Sequence, residues 1–259
     1  MKIEQIIEFN RETLKNVDCF ITEDEYNSSP DTYGLPIHVR HLIDKPINKD
    51  LTYADLMMFL QTFFTKKEIK YVELGVSVLK TFFQFSSFLK NCNLYAFDIN
   101  EINPSIAKRF DLLNAEKNNR TYKFKTNSIT YFKGDVFSKK DFKDFKNLVG
   151  GKVNIIFSDA CHTKEGLENE YENFIRHSLD DEFIIYYDDL DDKPMREAFM
   201  KISNELCSYH GINSSIFRVN GWLGEHEHAH LNGIITSLDF NKIIKENNIN
   251  LKQHYSIKS

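Results

Sequence analysis

The stretch Tyr71-Val-Glu-Leu-Gly-Val-Ser-Val-Leu-Lys-Thr81, followed downstream by Leu94-Tyr-Ala-Phe-Asp-Ile99, decides the fold. The first segment is typical of a buried strand that ends in Glu73-Leu-Gly75 and turns into a helix. The second is an apolar strand that ends in Asp98. An acid about 20 residues or more beyond a glycine turn can accept hydrogen bonds from ribose hydroxyls. The stretch therefore predicts a nucleotide-binding half-fold, with the ligand at the carboxyl ends of the strands.

Composition limits the partners and the compartment. The chain has 259 residues, is 41% hydrophobic and carries a net charge of −5, so no basic surface for nucleic acid is indicated. The four cysteines form no Cys-x-x-Cys pair and indicate free thiols in a reducing compartment. No apolar run approaches the roughly 20 residues of a membrane helix. We expect a soluble, cytoplasmic protein without a signal peptide or a membrane partner.

Apolar strands alternate with amphipathic helices along the chain, which predicts an α/β fold with a doubly wound, mostly parallel sheet. The predicted strands are 70–74, 94–98, 130–135, 153–159, 183–188, 215–219 and 231–237. The predicted helices are 3–17, 52–64, 78–90, 104–117, 139–148, 165–177 and 194–209. The last two strands form a hairpin, so the last strand is expected to be antiparallel. Residues 1–68 are interpreted as a helical and irregular extension, which could support a homodimer, and residues 69–259 as the main domain.

Five of the predicted strands end in or beside an acid, and in a parallel sheet these ends meet at one edge. A single acid in such a place is usually a helix cap or a solvated turn. Carboxylates gathered at one edge repel one another unless a cation or a group rich in hydrogen-bond donors lies among them. The pattern therefore predicts a site for a nucleoside, an amino group or a divalent metal; the acids are Glu73, Asp98, Asp135, Asp159 and Asp188-Asp189.

Taken together, Glu73-Leu-Gly75, Asp98, Gly134-Asp135 and Ser158-Asp159 resemble a class I S-adenosylmethionine-dependent methyltransferase over roughly residues 68–238. The resemblance implies a Rossmann-like methyltransferase fold, a seven-strand sheet with a reversed last strand, and S-adenosyl-L-methionine as cofactor. It further implies that Glu73 and Gly75 line the methionine part, that Asp98 binds the ribose and that Asp135 binds the adenine amine. The remaining cofactor contacts that it implies are Thr81, Ile99, Val136 and Asp159.

One position departs from the family pattern. Leu79 stands where the family's glycine-rich loop usually has a later glycine. A side chain there is expected to crowd the cofactor, so the loop is re-routed or cofactor binding is weakened or lost.

The segment Asp159-Ala-Cys-His162-Thr-Lys-Glu165-Gly166 resembles the macrocin and novobiocin branch of small-molecule and sugar O-methyltransferases. The resemblance implies Asp159, Asp188 and Asp189 as Mg²⁺ ligands. His162 could remove the acceptor proton, with Lys164 as the alternative base. Two simpler interpretations stay open: the acid pair caps the next helix, and His162 is a polar loop residue.

A histidine-rich loop joins the last two predicted strands. In an extended segment His226, His228 and His230 lie on one face, where they could bind a transition metal. The loop also carries Trp222 and is expected at the same edge of the sheet as the acids. We therefore hypothesise that these four residues contact the substrate; a solvated hairpin tip is the alternative.

The sequence thus predicts a methyltransferase that transfers a methyl group to an oxygen of a small molecule or sugar. Three other functions stay open. The first is an inert methyltransferase-like binding protein, the second is a metal enzyme built around the histidine loop, and the third is a nucleic-acid methyltransferase, which the acidic balance disfavours.

Overall fold

The computed structural model describes residues 1–15, 50–210, 212–220 and 229–257. The helices are α1 (Ile3–Lys15), α2 (Tyr53–Gln61), α3 (Lys80–Phe88), α4 (Pro104–Ala107), α5 (Lys139–Val149), α6 (Lys164–Glu170), α7 (Arg176–Ser178), α8 (Lys193–His210) and α9 (Phe240–Glu246). A π-helical segment, Tyr171–Ile175, joins α6 to α7. The strands are β1 (Lys70–Leu74), β2 (Asn93–Asp98), β3 (Asp111–Ala115), β4 (Asn119–Phe124), β5 (Asn127–Lys133), β6 (Val153–Ser158), β7 (Leu179–Tyr187), β8 (Asn213–Asn220), β9 (Ala229–Thr236) and β10 (Lys252–Ile257).

Within the described residues, the strands form one ten-stranded sheet in the order β10-β8-β9-β7-β6-β1-β2-β5-β4-β3. Its centre, β5-β2-β1-β6-β7, is parallel and has the strand order of a doubly wound nucleotide-binding sheet. β9 runs antiparallel to both β7 and β8. The predicted Rossmann-like sheet with a reversed last strand is therefore confirmed.

The sheet is wider than the seven strands predicted. The prediction of a helix over 104–117 is wrong: α4 ends at Ala107, and a β3–β4 hairpin follows and pairs with β5. Pro104 does begin a helix, as expected, but Leu112 and Leu113 are exposed on an edge strand instead of lying on a buried helical face. At the other edge, β10 pairs with β8 and was not predicted.

The core has two layers because side chains alternate across each central strand. Tyr71 and Tyr186 face one layer, together with α2 and α3, whereas Val72 and Tyr187 face the other, with α5, α6 and α8. Apolar burial on both faces explains why these strands read as continuous hydrophobic runs. None of the helices within the described residues is both long and apolar enough to cross a bilayer.

A buried polar network fixes the two N-terminal helices to each other. Thr52 and Asp55 form a capping box at the start of α2. The Asp55 carboxylate also accepts hydrogen bonds from Arg11 at 3.0 Å and from Asn10 at 2.7 Å, both on α1. Because the network is buried, losing one partner would leave an uncompensated polar group. α2 is thereby held with Tyr53 directed at the central strands.

Candidate functional site

The candidate site lies where the strand order reverses, between β1 and β6. Ligands of open α/β sheets bind outside the carboxyl ends of the strands at such a point. The loops that follow the two strands touch there. Gly75 has a φ of +80°, and a Cβ on it would lie 2.3 Å from Ala160 Cα. Only glycine fits this position, because both the backbone angle and the space exclude a side chain.

The loop after β1 is held by the acid that ends β2. Asp98 Oδ2 accepts hydrogen bonds from the backbone N–H groups of Val76 at 2.8 Å and Ser77 at 3.0 Å, and Oδ1 accepts one from Asn100 at 2.8 Å. A carboxylate has about four acceptor positions. Asp98 therefore keeps about one for a ligand while the loop has this conformation.

Leu79 occupies the glycine position of this loop in an unexpected way. Its φ is +64°, a left-handed angle that favours glycine, and its side chain is fully buried in the apolar core. Ser77, two residues earlier, also has a positive φ of +43°. The loop therefore accommodates Leu79 in a backbone conformation that favours glycine, with backbone strain at two non-glycine residues.

The ends of β2 and β5 combine acids with exposed apolar side chains. The two strands pair in parallel with Asp98 opposite Lys133, and Gly134 N–H donates to the Asp98 carbonyl at 2.8 Å, so the segment that carries Asp135 adjoins Asp98. Ile99 is 62% exposed and Phe137 is 47% exposed. Asp135 Oδ1 accepts the Phe137 N–H at 2.9 Å, which orients the segment. Apolar side chains left exposed at a strand-end crevice are typical of a binding surface.

Glu73 lies beneath the loop, fully buried. Burial raises its pKa well above the ordinary value, although a hydrogen bond from the Tyr71 hydroxyl opposes this shift. Nearby, the hydroxyls of Thr81 and Tyr53 are 3.2 Å apart, and the Lys80 ammonium lies 5.3 Å from the centre of the Tyr53 ring. Tyr53 was not predicted, because its link to α3 is a long-range contact with no local pattern.

A chain of acids and imidazoles occupies the ends of β6 and β7. His162 Nε2 lies 2.9 Å from Asp159 Oδ1, and His162 Nδ1 lies 2.9 Å from Asp189 Oδ2. The other Asp189 oxygen lies 2.8 Å from His230 Nδ1. The hydrogen bond to Asp159, and then the one to Asp189, raises the pKa of His162 to about 11. His162 is therefore an imidazolium that bridges two carboxylates.

The carboxyl groups at the ends of β6 and β7 differ in pKa. Burial, and then the charge of Asp159, raises the pKa of Asp188 to about 8. Burial alone would also raise the pKa of Asp189, but hydrogen bonds from His162 and His230 hold it below its ordinary value. Neighbouring acids with such different environments are typical of functional sites.

The donor group that could hold a metal differs from the predicted one. Among the described residues, the carboxylate and imidazole atoms within 4.8 Å of one another belong to Asp189, Asp191 and His230, whereas the sequence indicated Asp159, Asp188 and Asp189. Asp191 also lies 2.8 Å from Arg218 Nη2 and accepts the Leu231 N–H at 2.8 Å. The predicted acids do lie at one edge of the sheet, but His162 stands between Asp159 and Asp189.

Other predicted residues have simpler surroundings. Lys164 is exposed at the start of α6, and the Val136 side chain is buried in the core. Of the histidine-rich loop, His230 belongs to the acid and imidazole chain, whereas Trp222, His226 and His228 lie outside the described residues.

Comparison with known proteins gives matches of fold alone. No family model and no curated protein matches the chain. An O-methyltransferase from Bacillus cereus, solved with SAH, shares 11% identity at a TM-score of 0.48, over 77% of this chain and 87% of its own. The plantazolicin methyltransferase BpumL shares 14% identity at a TM-score of 0.47, and the match covers 90% of this chain and 98% of BpumL. A spermidine synthase from Thermotoga maritima shares 12% identity at a TM-score of 0.43, and the match covers 79% of this chain and 67% of the synthase.

Matches this distant do not assign an activity, and they include more than one reaction. The strand order and the reversed β9 carry the similarity of architecture by themselves. In fold, the chain resembles the class I S-adenosylmethionine-dependent methyltransferases.

Proposed function

We propose that the chain is an S-adenosylmethionine-dependent methyltransferase. The observation that carries the proposal is that two adjoining strand ends each combine an acid with an exposed apolar side chain. Asp98 and Ile99 lie at the end of β2, and Asp135 and Phe137 follow the end of β5. A nucleoside needs this combination, because its ribose and amine are polar whereas its base presents two apolar faces. Asp98 would accept a ribose hydroxyl, Asp135 would accept the adenine amine, and the apolar pair would hold the ring.

The remaining cofactor contacts fit this arrangement. Glu73, Gly75 and Thr81 flank the loop after β1, where the methionine part would lie. The Leu79 side chain packs into the core and does not fill the crevice, which supports binding in spite of the missing glycine. Asp98 would have to exchange one loop N–H for a second ribose hydroxyl, so binding is expected to move the loop.

The acceptor side would be formed by Asp159, His162, Asp188, Asp189 and His230. We propose transfer to an oxygen of a small molecule or sugar, with rate gained mainly from aligning donor and acceptor. His162 could take the acceptor proton only after it had given up one of its own ring protons, and with it the contact to one carboxylate, since both ring nitrogens are engaged. Lys164 is the alternative base.

The same carboxylates suit Mg²⁺, which prefers oxygen ligands. Asp159, Asp188 and Asp189 would hold the ion, with Asp191 and His230 beside it. Bound there, the ion would lower the pKa of an acceptor hydroxyl. The His162 imidazolium opposes a metal in the present arrangement, because it already supplies positive charge between Asp159 and Asp189.

A second candidate, an inert binding protein with this fold, is favoured by one observation. The carboxylates of Asp98 and Asp189 already have internal partners, so the site is stable without a ligand.

Thermal unfolding with S-adenosylhomocysteine (SAH), with and without Mg²⁺, separates these possibilities. A ligand at about a hundred times its dissociation constant adds about 2.7 kcal/mol to the free energy of unfolding. A rise in Tm with SAH supports the methyltransferase, and a further rise with Mg²⁺ supports the metal. No rise with SAH would favour the inert protein. Adenosine, tested in parallel, reports on the nucleoside half alone.

A further inference from the structure

Glu170 is a buried acid that the proposed chemistry does not use. It ends α6, where the chain enters the π-helical segment Tyr171–Ile175, and it is 0% exposed. Among the described residues, no cation forms an ion pair with it. π-Helical segments are rare and often lie at functional sites. A buried acid without a cation calls for a specific explanation.

The two oxygens of Glu170 differ. Oε2 accepts a hydrogen bond from the Ser158 hydroxyl, whereas Oε1 has no hydrogen-bond partner within the described part of the chain. Among those same residues the buried hydroxyl of Tyr187 also has no partner, and after burial the charge of Glu170 has the largest effect on raising the pKa of Tyr187. Burial raises the pKa of Glu170 to about 8, which agrees with the neutral form.

Ser158 connects Glu170 to the acids of the site. It is the last residue of β6, and its carbonyl accepts the N–H of Asp188 at 3.2 Å. The next residue, Asp159, donates its N–H to the Leu74 carbonyl at 2.8 Å. Ser158 therefore lies at the junction that sets Asp159 relative to Asp188, and Glu170 holds its side chain from below.

We propose that Glu170 is a positioning residue whose carboxyl group, acting through Ser158, fixes the junction of β6 and β7 from which Asp159 and Asp188 project. Its importance for catalysis rests on the proposed function, but the positioning itself is a property of the free protein. A neutral group suits this place, because an added negative charge would repel the two acids that it positions.

The test compares Glu170→Gln, Glu170→Ala and Ser158→Ala with the wild type. Gln has nearly the same shape and stays neutral, whereas the other two changes break the link to the junction. Ser203→Ala is the matched control, because the Ser203 hydroxyl is also buried and donates to Ser214 at 2.6 Å, away from the site. Two readouts are needed: the NMR signals of the His162 side chain, assigned with His162→Gln, and the dissociation constant of SAH.

The His162 signals report the separation of Asp159 from Asp189, because the ring contacts both. We expect Glu170→Ala and Ser158→Ala to shift them and to weaken SAH binding about tenfold, as loss of an outer support typically does. Glu170→Gln should leave the His162 signals and the dissociation constant of SAH unchanged. Ser203→Ala should lower Tm and leave both unchanged.

Two results would overturn the proposal. One is an unchanged His162 signal in Glu170→Ala and Ser158→Ala, which would make the link merely structural. The other is a Gln variant as impaired as the Ala variant, which would mean that the hydrogen bond from Ser158 to the side-chain oxygen of residue 170 is not what acts. If Glu170→Ala does not fold, the His162 signals of Ser158→Ala decide whether the link positions the site. If the wild type binds no SAH, the proposed function fails, and the His162 signals still test the positioning.

Discussion

The two halves of the site deal with their acids in opposite ways. At the ends of β2 and β5, Asp98 is held by backbone N–H groups, and apolar side chains beside it stay exposed. At the ends of β6 and β7, Asp159 and Asp189 are paired with His162 and His230. The first half is suited to a flat apolar ligand with hydroxyls. The second is a polar cluster that already balances its own charge. The difference teaches that acids at strand ends become sites of different chemistry according to what neutralises them.

The largest effect is expected on the free energy of unfolding, from a substitution at Gly75, where the loops after β1 and β6 touch. Gly75→Ala should lower the free energy of unfolding by more than about 3 kcal/mol, because the new Cβ would lie 2.3 Å from Ala160 Cα. Gly151→Ala is the control: φ there is +87°, but the Cβ would meet only Lys70 Nζ, at 3.6 Å. It should cost only the backbone strain, about 1 kcal/mol. Urea unfolding measures the free energy of unfolding of both variants. If the two variants lose the same stability, the close contact at Gly75 is not the cause.

The nucleoside half is tested by Asp98→Asn. The change removes the charge from three hydrogen bonds and from the proposed ribose contact, so SAH binding should weaken about 30- to 100-fold. Asp111→Asn, on the exposed edge strand β3, should leave the dissociation constant unchanged. Calorimetric titration measures both variants. Equal affinity in Asp98→Asn and the wild type would remove Asp98 from the ligand contacts.

The stability of the β6–β7 half should depend on pH through Glu170. Its pKa is raised from 4.5 to about 8, so between these values the unfolded chain releases a proton that the folded chain keeps. The free energy of unfolding should therefore fall as the pH rises across this window, by up to about 1.4 kcal/mol per unit, and level off above pH 8. Glu170→Gln should lose this contribution and show a shallower slope, whereas the contribution of Asp188, whose pKa is also raised to about 8, stays. Urea unfolding at several pH values gives the difference, and parallel curves would contradict the raised pKa.

The smallest expected effect concerns cation binding in the same half. His162→Ala removes the imidazolium and leaves Asp159 facing Asp189, so Mn²⁺ used as a probe should bind about tenfold more tightly than to the wild type. His177→Ala, an exposed histidine at the end of the α6–α7 helical region, is the control. Electron paramagnetic resonance measures free Mn²⁺. No gain in His162→Ala would show that these acids are not a cation site.

The sequence predicts the central sheet well, because a strand buried on both faces leaves a continuous apolar run that needs no distant partner to be recognised. It also predicts which acids share an edge, because parallel strands end together. It predicts less well where a segment's partner lies far along the chain. The sequence of the β3–β4 hairpin predicts a helix instead, since Pro104 and the apolar residues after it also fit helical spacing.

The contacts inside the site show the same limit. Asp159-Ala-Cys-His162 indicates a functional loop, but nothing local predicts that His162 bridges Asp159 and Asp189. Tyr53 reaches Thr81 from an N-terminal helix, and Glu170 reaches Ser158 across a helix and a strand end. These pairings are set by packing of separate elements, so no spacing in the sequence encodes them.

The central claim is that the β2 and β5 strand ends bind the nucleoside of S-adenosylmethionine. A crystal structure of the protein grown with SAH tests it most directly. In that structure we expect ribose hydroxyls within hydrogen-bond distance of Asp98 and the adenine ring between Ile99 and Phe137. SAH bound elsewhere, or an unoccupied crevice in crystals grown at saturating SAH, would contradict it.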